Sequence, residues 1–188
     1  MATPIPFEFE KLIISVIYHD EKVLSEALSL LRDEFGECDF VSREFSFSGE
    51  YSSYYDDELG GEGRRHIYSF ERLVDPSRQA EIKEKTNEIE NKFSRRINLD
   101  PGLLNDARLA LPTTKRLGFR TPLKNGIYSD LTLFYARGAF HKLPWTYRDY
   151  QSETVTEFLL KVRKRYIAQR KQMYPHISKQ GSLSKKKD

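Results

Sequence analysis

Apolar positions along this chain follow two periods, and each change of period predicts a new element. Residues 11–18, Lys-Leu-Ile-Ile-Ser-Val-Ile-Tyr, form a β-branched run that predicts a strand buried on both faces. Asp20 then stands as a helix cap, followed by Leu24, Ala27, Leu28, Leu31 and Phe35 on one stripe, with Gly36 as the stop. Val41, Arg43, Phe45 and Phe47 alternate with Ser42, Glu44 and Ser46, the period of a second strand. A polar loop rich in Tyr and Gly, residues 48–63, leads to a third strand over 65–70.

Asp75-Pro76 predicts a helix start: the carboxylate accepts from free amides, and proline at the first position forfeits no hydrogen bond. Ile82, Thr86, Ile89 and Phe93 carry that helix to about residue 93, and residues 96–99 form a short fourth strand. Asp100-Pro101 repeats the start signal and predicts a short helix through Leu111. A hairpin follows, residues 126–135 and 139–143 about a turn at Ala136-Arg137-Gly138, and a final helix begins near Ser152 with Val155, Phe158, Leu159, Val162 and Tyr166 as its apolar stripe. The order β-α-β-β-α-β is that of a ferredoxin-like core. The expected fold is therefore α+β: this core extended by a short helix, a β-hairpin and a C-terminal helix. Residues 10–171 make one domain, and residues 172–188 a basic, disordered tail of Ser, Lys and Gly.

Charge adds one feature to this outline. Residues 161–188 carry ten Lys or Arg against Asp188 alone, so the net charge of +3 and the pI near 8.8 conceal an acidic body with a basic end. Such an end suits nucleic acid or an acidic partner through nonspecific attraction. No apolar run is long enough to span a bilayer, and no secretory leader is legible, so no membrane association is expected. Cys38 is the only cysteine, which excludes an internal disulfide and predicts a reducing, cytoplasmic setting.

Several chemistries are excluded by what is missing. The chain has no G-x-x-x-x-G-K-[ST] loop and no G-x-G-x-x-G after a strand. His19, His66, His141 and His176 lie apart without metal spacing, and neither His66-Ile67-Tyr68 nor His141-Lys142-Leu143 is an H-x-[ST] motif. No metal site is indicated, and the sequence leaves any cofactor open.

Three segments retain chemistry. In Arg96-Ile97-Asn98-Leu99-Asp100-Pro101-Gly102, alternation puts Arg96, Asn98 and Asp100 on one face and delivers them to the expected helix N-terminus, where free amides attract an anion. Thr113, Thr114 and Lys115, with Arg116 and Arg120, set hydroxyls beside cations in a way that suits phosphate or carboxylate. Residues 144–150 carry the only tryptophan, Trp145, as an aromatic surface for a base or partner. Two further patches are the acidic Tyr51–Glu58 loop with Gly60-Gly61-Glu62-Gly63-Arg64-Arg65, which suits an amide nest, and the helical stripe Lys83, Thr86, Asn87 and Glu90. Each also has a plain structural explanation as a cap, connector or solvated face.

These residues carry a family resemblance. Asn98-Leu99-Asp100-Pro101-Gly102, Thr113-Thr114-Lys115, Gly126-Ile127-Tyr128, Leu131-Thr132-Leu133 and Pro144-Trp145-Thr146-Tyr147 with Asp149-Tyr150 stand in the order and spacing of the domain of unknown function 4416 family. Tyr54-Tyr55, Ser69-Phe70-Glu71, Lys83 and Thr86-Asn87 fit the same pattern, so the resemblance covers roughly residues 10–170. It implies a family of uncharacterised prokaryotic proteins, some labelled GTP-binding, a label that the motifs themselves do not carry. Leu103 stands where Tyr is usual, Arg148 replaces a Pro, and Phe119 takes a place that is often His, so no mechanism through that His operates here.

The leading expectation is a domain that binds an anionic, phosphate-bearing ligand, a nucleotide being one form, through Asn98, Asp100, Gly102, Thr114, Lys115, Arg120 and Trp145. A second reading is a hydrolase or phosphotransferase using Asp100 and Glu90 as metal or acid-base carboxylates. A third is an RNA-associated or partner-binding module using the basic tail and Trp145.

Overall fold

In a computed structural model, which describes residues 3–175, β1 (Glu10–Tyr18) runs through the middle of the molecule with all nine residues buried. Its even positions, Leu12, Ile14, Val16 and Tyr18, join one core cluster with α1 (Glu21–Phe35) and α4 (Gln79–Lys92), while Ile13 joins a second cluster on the opposite face with α5 (Glu153–Met173). A strand with helices on both sides has no wet face, which is why its sequence is a run and not an alternation. Asp20 caps α1 by accepting from Lys22 N at 2.7 Å, and Gly36 ends it at φ +90°, a conformation that glycine adopts without strain.

The remaining strands are β2 (Cys38–Val41), β3 (Phe45–Ser46), β4 (Arg64–Val74), β5 (Ile97–Leu104), β6 (Arg108–Thr113), β7 (Thr121–Pro122), β8 (Tyr128–Ala136) and β9 (Ala139–Lys142). They form one antiparallel sheet in the order β2-β4-β1-β5-β6-β8-β7, with β3 added to β4 and β9 to β8. The fold is α+β, and the expected hairpin and C-terminal helix are present. Ser152 caps α5 by accepting from Val155 N.

Three expectations need correction. Asp100-Pro101 does not open a helix: both lie inside β5, which turns at Asn105 into β6, so residues 100–111 are strand, turn and strand. Proline is tolerated here because odd-numbered residues of β5 turn their backbone groups away from β1, as Leu99 shows, and β6 joins β5 only from Leu103 onward. The second expected strand is broken into β2 and β3 about the buried Ser42, whose Oγ accepts from Ile67 N at 2.8 Å. The 48–63 connector holds two short helices, α2 (Phe47–Glu50) and α3 (Asp56–Leu59).

Lys11, fully buried, ties the sheet to α5: Nζ donates to Asp39 Oδ2 at 2.5 Å and Gln169 Oε1 at 3.0 Å. Burial pushes its pKa down, and Asp39 opposes that. Of the basic tail, residues 176–188 lie outside the described residues. No helix among the described residues is long and apolar enough to cross a membrane.

Candidate functional site

β5 and β6 pair only where Leu103–Leu104 meet Leu109–Ala110, so the sheet splits along the first half of β5. The edge of β5 that lacks a strand partner is met by side chains from α4. Lys83 Nζ donates to the Leu99 carbonyl at 3.0 Å, and Glu90 Oε1 accepts from Leu99 N at 2.5 Å. Lys83 also donates to Asp100 Oδ1 at 3.2 Å. The polar stripe that the sequence placed on this helix thus substitutes for a missing strand, and both side chains are more than nine-tenths buried. Burial pushes the Glu90 carboxyl above the ordinary glutamate value, against the pull of Lys83 and the Leu99 amide.

The split opens a cleft of about 610 Å³. Register fixes its floor: Ile17 pairs with both Arg65 of β4 and Asn98 of β5, while Ser15 pairs with Asp100, so Arg65, Asn98 and Asp100 share one face of the sheet. Arg65, 1 % exposed, donates Nε to Ser15 Oγ at 2.7 Å and pairs with Asp149, while the Tyr150 ring lies 4.7 Å from its guanidinium carbon. Burial opposes the Arg65 charge, and the Asp149 carboxylate, paired with it, offsets that cost. Asp149 and Tyr150 come from a single 3-10 turn, Arg148–Gln151, just before α5.

The rims belong to two connectors. On one side Tyr51, Tyr54 and Tyr55 stand on the α2–α3 segment; on the other lie Thr113, Thr114 and Lys115 at the end of β6. Lys115 Nζ sits 5.4 Å from the Tyr54 ring centre, so the two rims touch through a cation and an aromatic face. Burial, and then the Asp100 charge, hold the Tyr55 phenol above its ordinary value.

The cleft therefore brings together Asn98, Asp100, Thr114, Lys115 and Arg120, together with Glu90. The structure gives Arg120 a different role from the one expected. Its guanidinium is spent on Asp130 Oδ2 at 2.8 Å, Lys115 O at 2.7 Å and Tyr147 Oη at 2.9 Å, so it holds the 115–120 loop on β8. Gly102 and Trp145 lie outside the cleft. A Cβ on Gly102 would stand 2.6 Å from Leu111 Cδ2, so this glycine lets β6 side chains close over β5. Trp145 stacks on Phe119 with ring centres 4.4 Å apart and donates Nε1 to Leu131 O. The Gly60–Arg65 nest does not form either: Arg64 turns to Glu21, Arg65 turns to Asp149, and Gly61 packs against His19.

Sequence reading gave no site role to Asp130, held Asp149 and Tyr150 only as members of the aromatic segment 144–150, and read Arg65 as the start of a strand and a support of the nest. An arginine inside an apolar strand, as in Arg65-His66-Ile67, was the one available signal, since a buried guanidinium demands a partner.

Six cationic side chains and four carboxylates line the cleft. Arg65–Asp149, Arg120–Asp130 and Lys83–Asp100 neutralise one another, and Arg95 pairs with Glu58. Lys115 and Arg148 have no carboxylate partner among the described residues. Two buried polar atoms in the cleft, Asn98 Oδ1 and Tyr150 Oη, have no hydrogen-bond partner. Ser15 lies close enough to the Tyr150 phenol to influence its titration but outside hydrogen-bond geometry; burial holds that phenol above its ordinary value. No cluster among the described residues has the composition of a metal site.

An α+β domain with a split antiparallel sheet and a tyrosine-walled, cationic cleft is the class these features define. The chain matches the family model described as Domain of unknown function (DUF4416) over residues 8–166, and it belongs to that family. No curated protein and no solved structure matches it.

Proposed function

We propose that this protein binds a phosphate-bearing small molecule in the cleft between β5 and β6, on a core whose strand order β2-β4-β1-β5 we read as ferredoxin-like. The observation that carries this reading is the charge ledger of the site: after every ion pair is formed, Glu90 is left buried on the Leu99 amide, while Lys115 and Arg148 remain at the rim of a cleft that the Thr113 and Thr114 side chains also line. Unpaired cations next to hydroxyl donors favour a phosphoryl group, and the tyrosine walls lower the local dielectric around it.

The enzyme reading gains less support. Glu90 and Asp100 do share the cleft, but Glu90 is committed to the Leu99 amide and Asp100 to Lys83, roles that account for both without chemistry. A thermal-shift screen with inorganic phosphate, pyrophosphate, sugar phosphates and nucleotides tests the proposal. A true ligand at 100 times its Kd stabilises the fold by about 2.7 kcal/mol. If none of these compounds raises the midpoint in wild type, the reading is wrong.

A further inference from the structure

We infer that the ligand is not a bare anion but carries, away from its phosphate, a neutral polar head with at least one N–H or O–H donor, seated against Asn98 and Tyr150. This rests on the phosphate-binding reading above and deepens it. Asn98 is 8 % exposed and Tyr150 3 %, so neither Oδ1 nor Oη is served by bulk solvent; Asn98 Oδ1 has no partner among the described residues, and Tyr150 Oη has only the Ser15 hydroxyl beside it, outside hydrogen-bond geometry. The charged groups on the floor of the cleft are already matched: Arg65 to Ser15 and Asp149, Lys83 to Leu99 O and Asp100, and Glu90 to Leu99 N.

An amide oxygen only accepts, so whatever completes Asn98 brings a donor. A phenol held neutral by burial both donates and accepts, so it is indifferent to which edge of a hydroxyl or ring nitrogen it meets. The free cations, Lys115 and Arg148, stand on exposed rim positions, whereas these two atoms are buried. Charge at the mouth and unpaired neutral groups within match a molecule with a phosphate at one end and hydroxyls or ring amines at the other. A sugar phosphate and a nucleoside phosphate share that chemistry. The tyrosine walls accept either, through C–H contacts or through stacking.

The experiment compares, by isothermal titration, inorganic phosphate and pyrophosphate with ribose 5-phosphate and the four nucleoside monophosphates, on wild type, Asn98→Leu and Tyr150→Phe. The expected result is that at least one headed ligand binds wild type about tenfold or more tightly than pyrophosphate, and that each substitution removes about tenfold of that advantage while leaving pyrophosphate affinity unchanged. Tyr150→Phe keeps the ring over Arg65, so it stands as a test even if Asn98→Leu fails to fold. Ribose 5-phosphate matching the monophosphates identifies a sugar head; a preference for one base identifies a nucleobase. Equal affinity for headed and headless anions overturns the inference and leaves phosphate binding intact. No binding by any of them overturns both.

Discussion

Glu90 Oε1 accepts from the Leu99 amide at 2.5 Å, so a helix side chain occupies the place where a neighbouring strand's carbonyl would have accepted that hydrogen bond. The candidate cleft exists because of this substitution: β5 is completed by α4 over its first half and by β6 over its second.

That arrangement predicts a sharp difference between two replacements. Glu90→Gln keeps an oxygen acceptor for Leu99 N and is expected to change stability by less than about 1 kcal/mol near neutral pH. Glu90→Ala strands a buried amide and is expected to cost about 1–3 kcal/mol. Urea denaturation of the two variants checks it, and an alanine variant as stable as the glutamine variant would refute the role.

A pH dependence follows from the same carboxyl. Its folded pKa lies above the ordinary 4.5, so in the window from 4.5 up to that raised value the folded state holds a proton that the unfolded chain has lost. The contribution of Glu90 is therefore fully present at low pH and is lost as pH rises through its folded pKa. Glu90→Gln, which cannot ionise, is expected to gain stability relative to wild type as pH rises through that window. Parallel stability curves for the two proteins would contradict this.

Arg120 and Asp130, 2 % and 4 % exposed in their side chains, form a buried pair whose loss should be asymmetric. Arg120→Met or Asp130→Asn alone leaves one uncompensated partner and is expected to destabilise by about 3 kcal/mol or more. The double replacement is expected to recover much of that loss. A double-mutant cycle by thermal or urea unfolding measures the coupling, and simple additivity would show the pair to be incidental.

Gly102 is predicted to matter for packing alone. Gly102→Ala drives a methyl toward Leu111 and Leu109 and is expected to cost about 1–3 kcal/mol. Any ligand that binds wild type should bind the folded variant with unchanged affinity. By contrast, Lys115→Ala and Arg148→Ala should each weaken a phosphate ligand about tenfold at low salt, with little change in melting temperature. The opposite pattern, in which Gly102→Ala abolishes binding and the two cation variants do not, would move the site elsewhere.

The sequence by itself determined what depends on local chemistry. The run of residues 11–18 announced a strand buried on both faces, Asp20 and Ser152 announced helix starts, and Ala136-Arg137-Gly138 announced a hairpin turn, because caps, turns and side-chain periodicity act within a few residues. Asp100-Pro101 misled because the same two residues open a helix when amides ahead of them are free and sit in a strand when the proline's missing donor faces a gap. Only the tertiary structure decided which applied. It alone also decided that Asn98, Asp100 and residues 113–115 face one cleft, that Arg120 is consumed by Asp130, and that Arg65 finds Asp149 across 84 positions of chain. Partners so distant leave no periodic trace in a sequence; they are chosen by strand register and by where a sheet stops pairing.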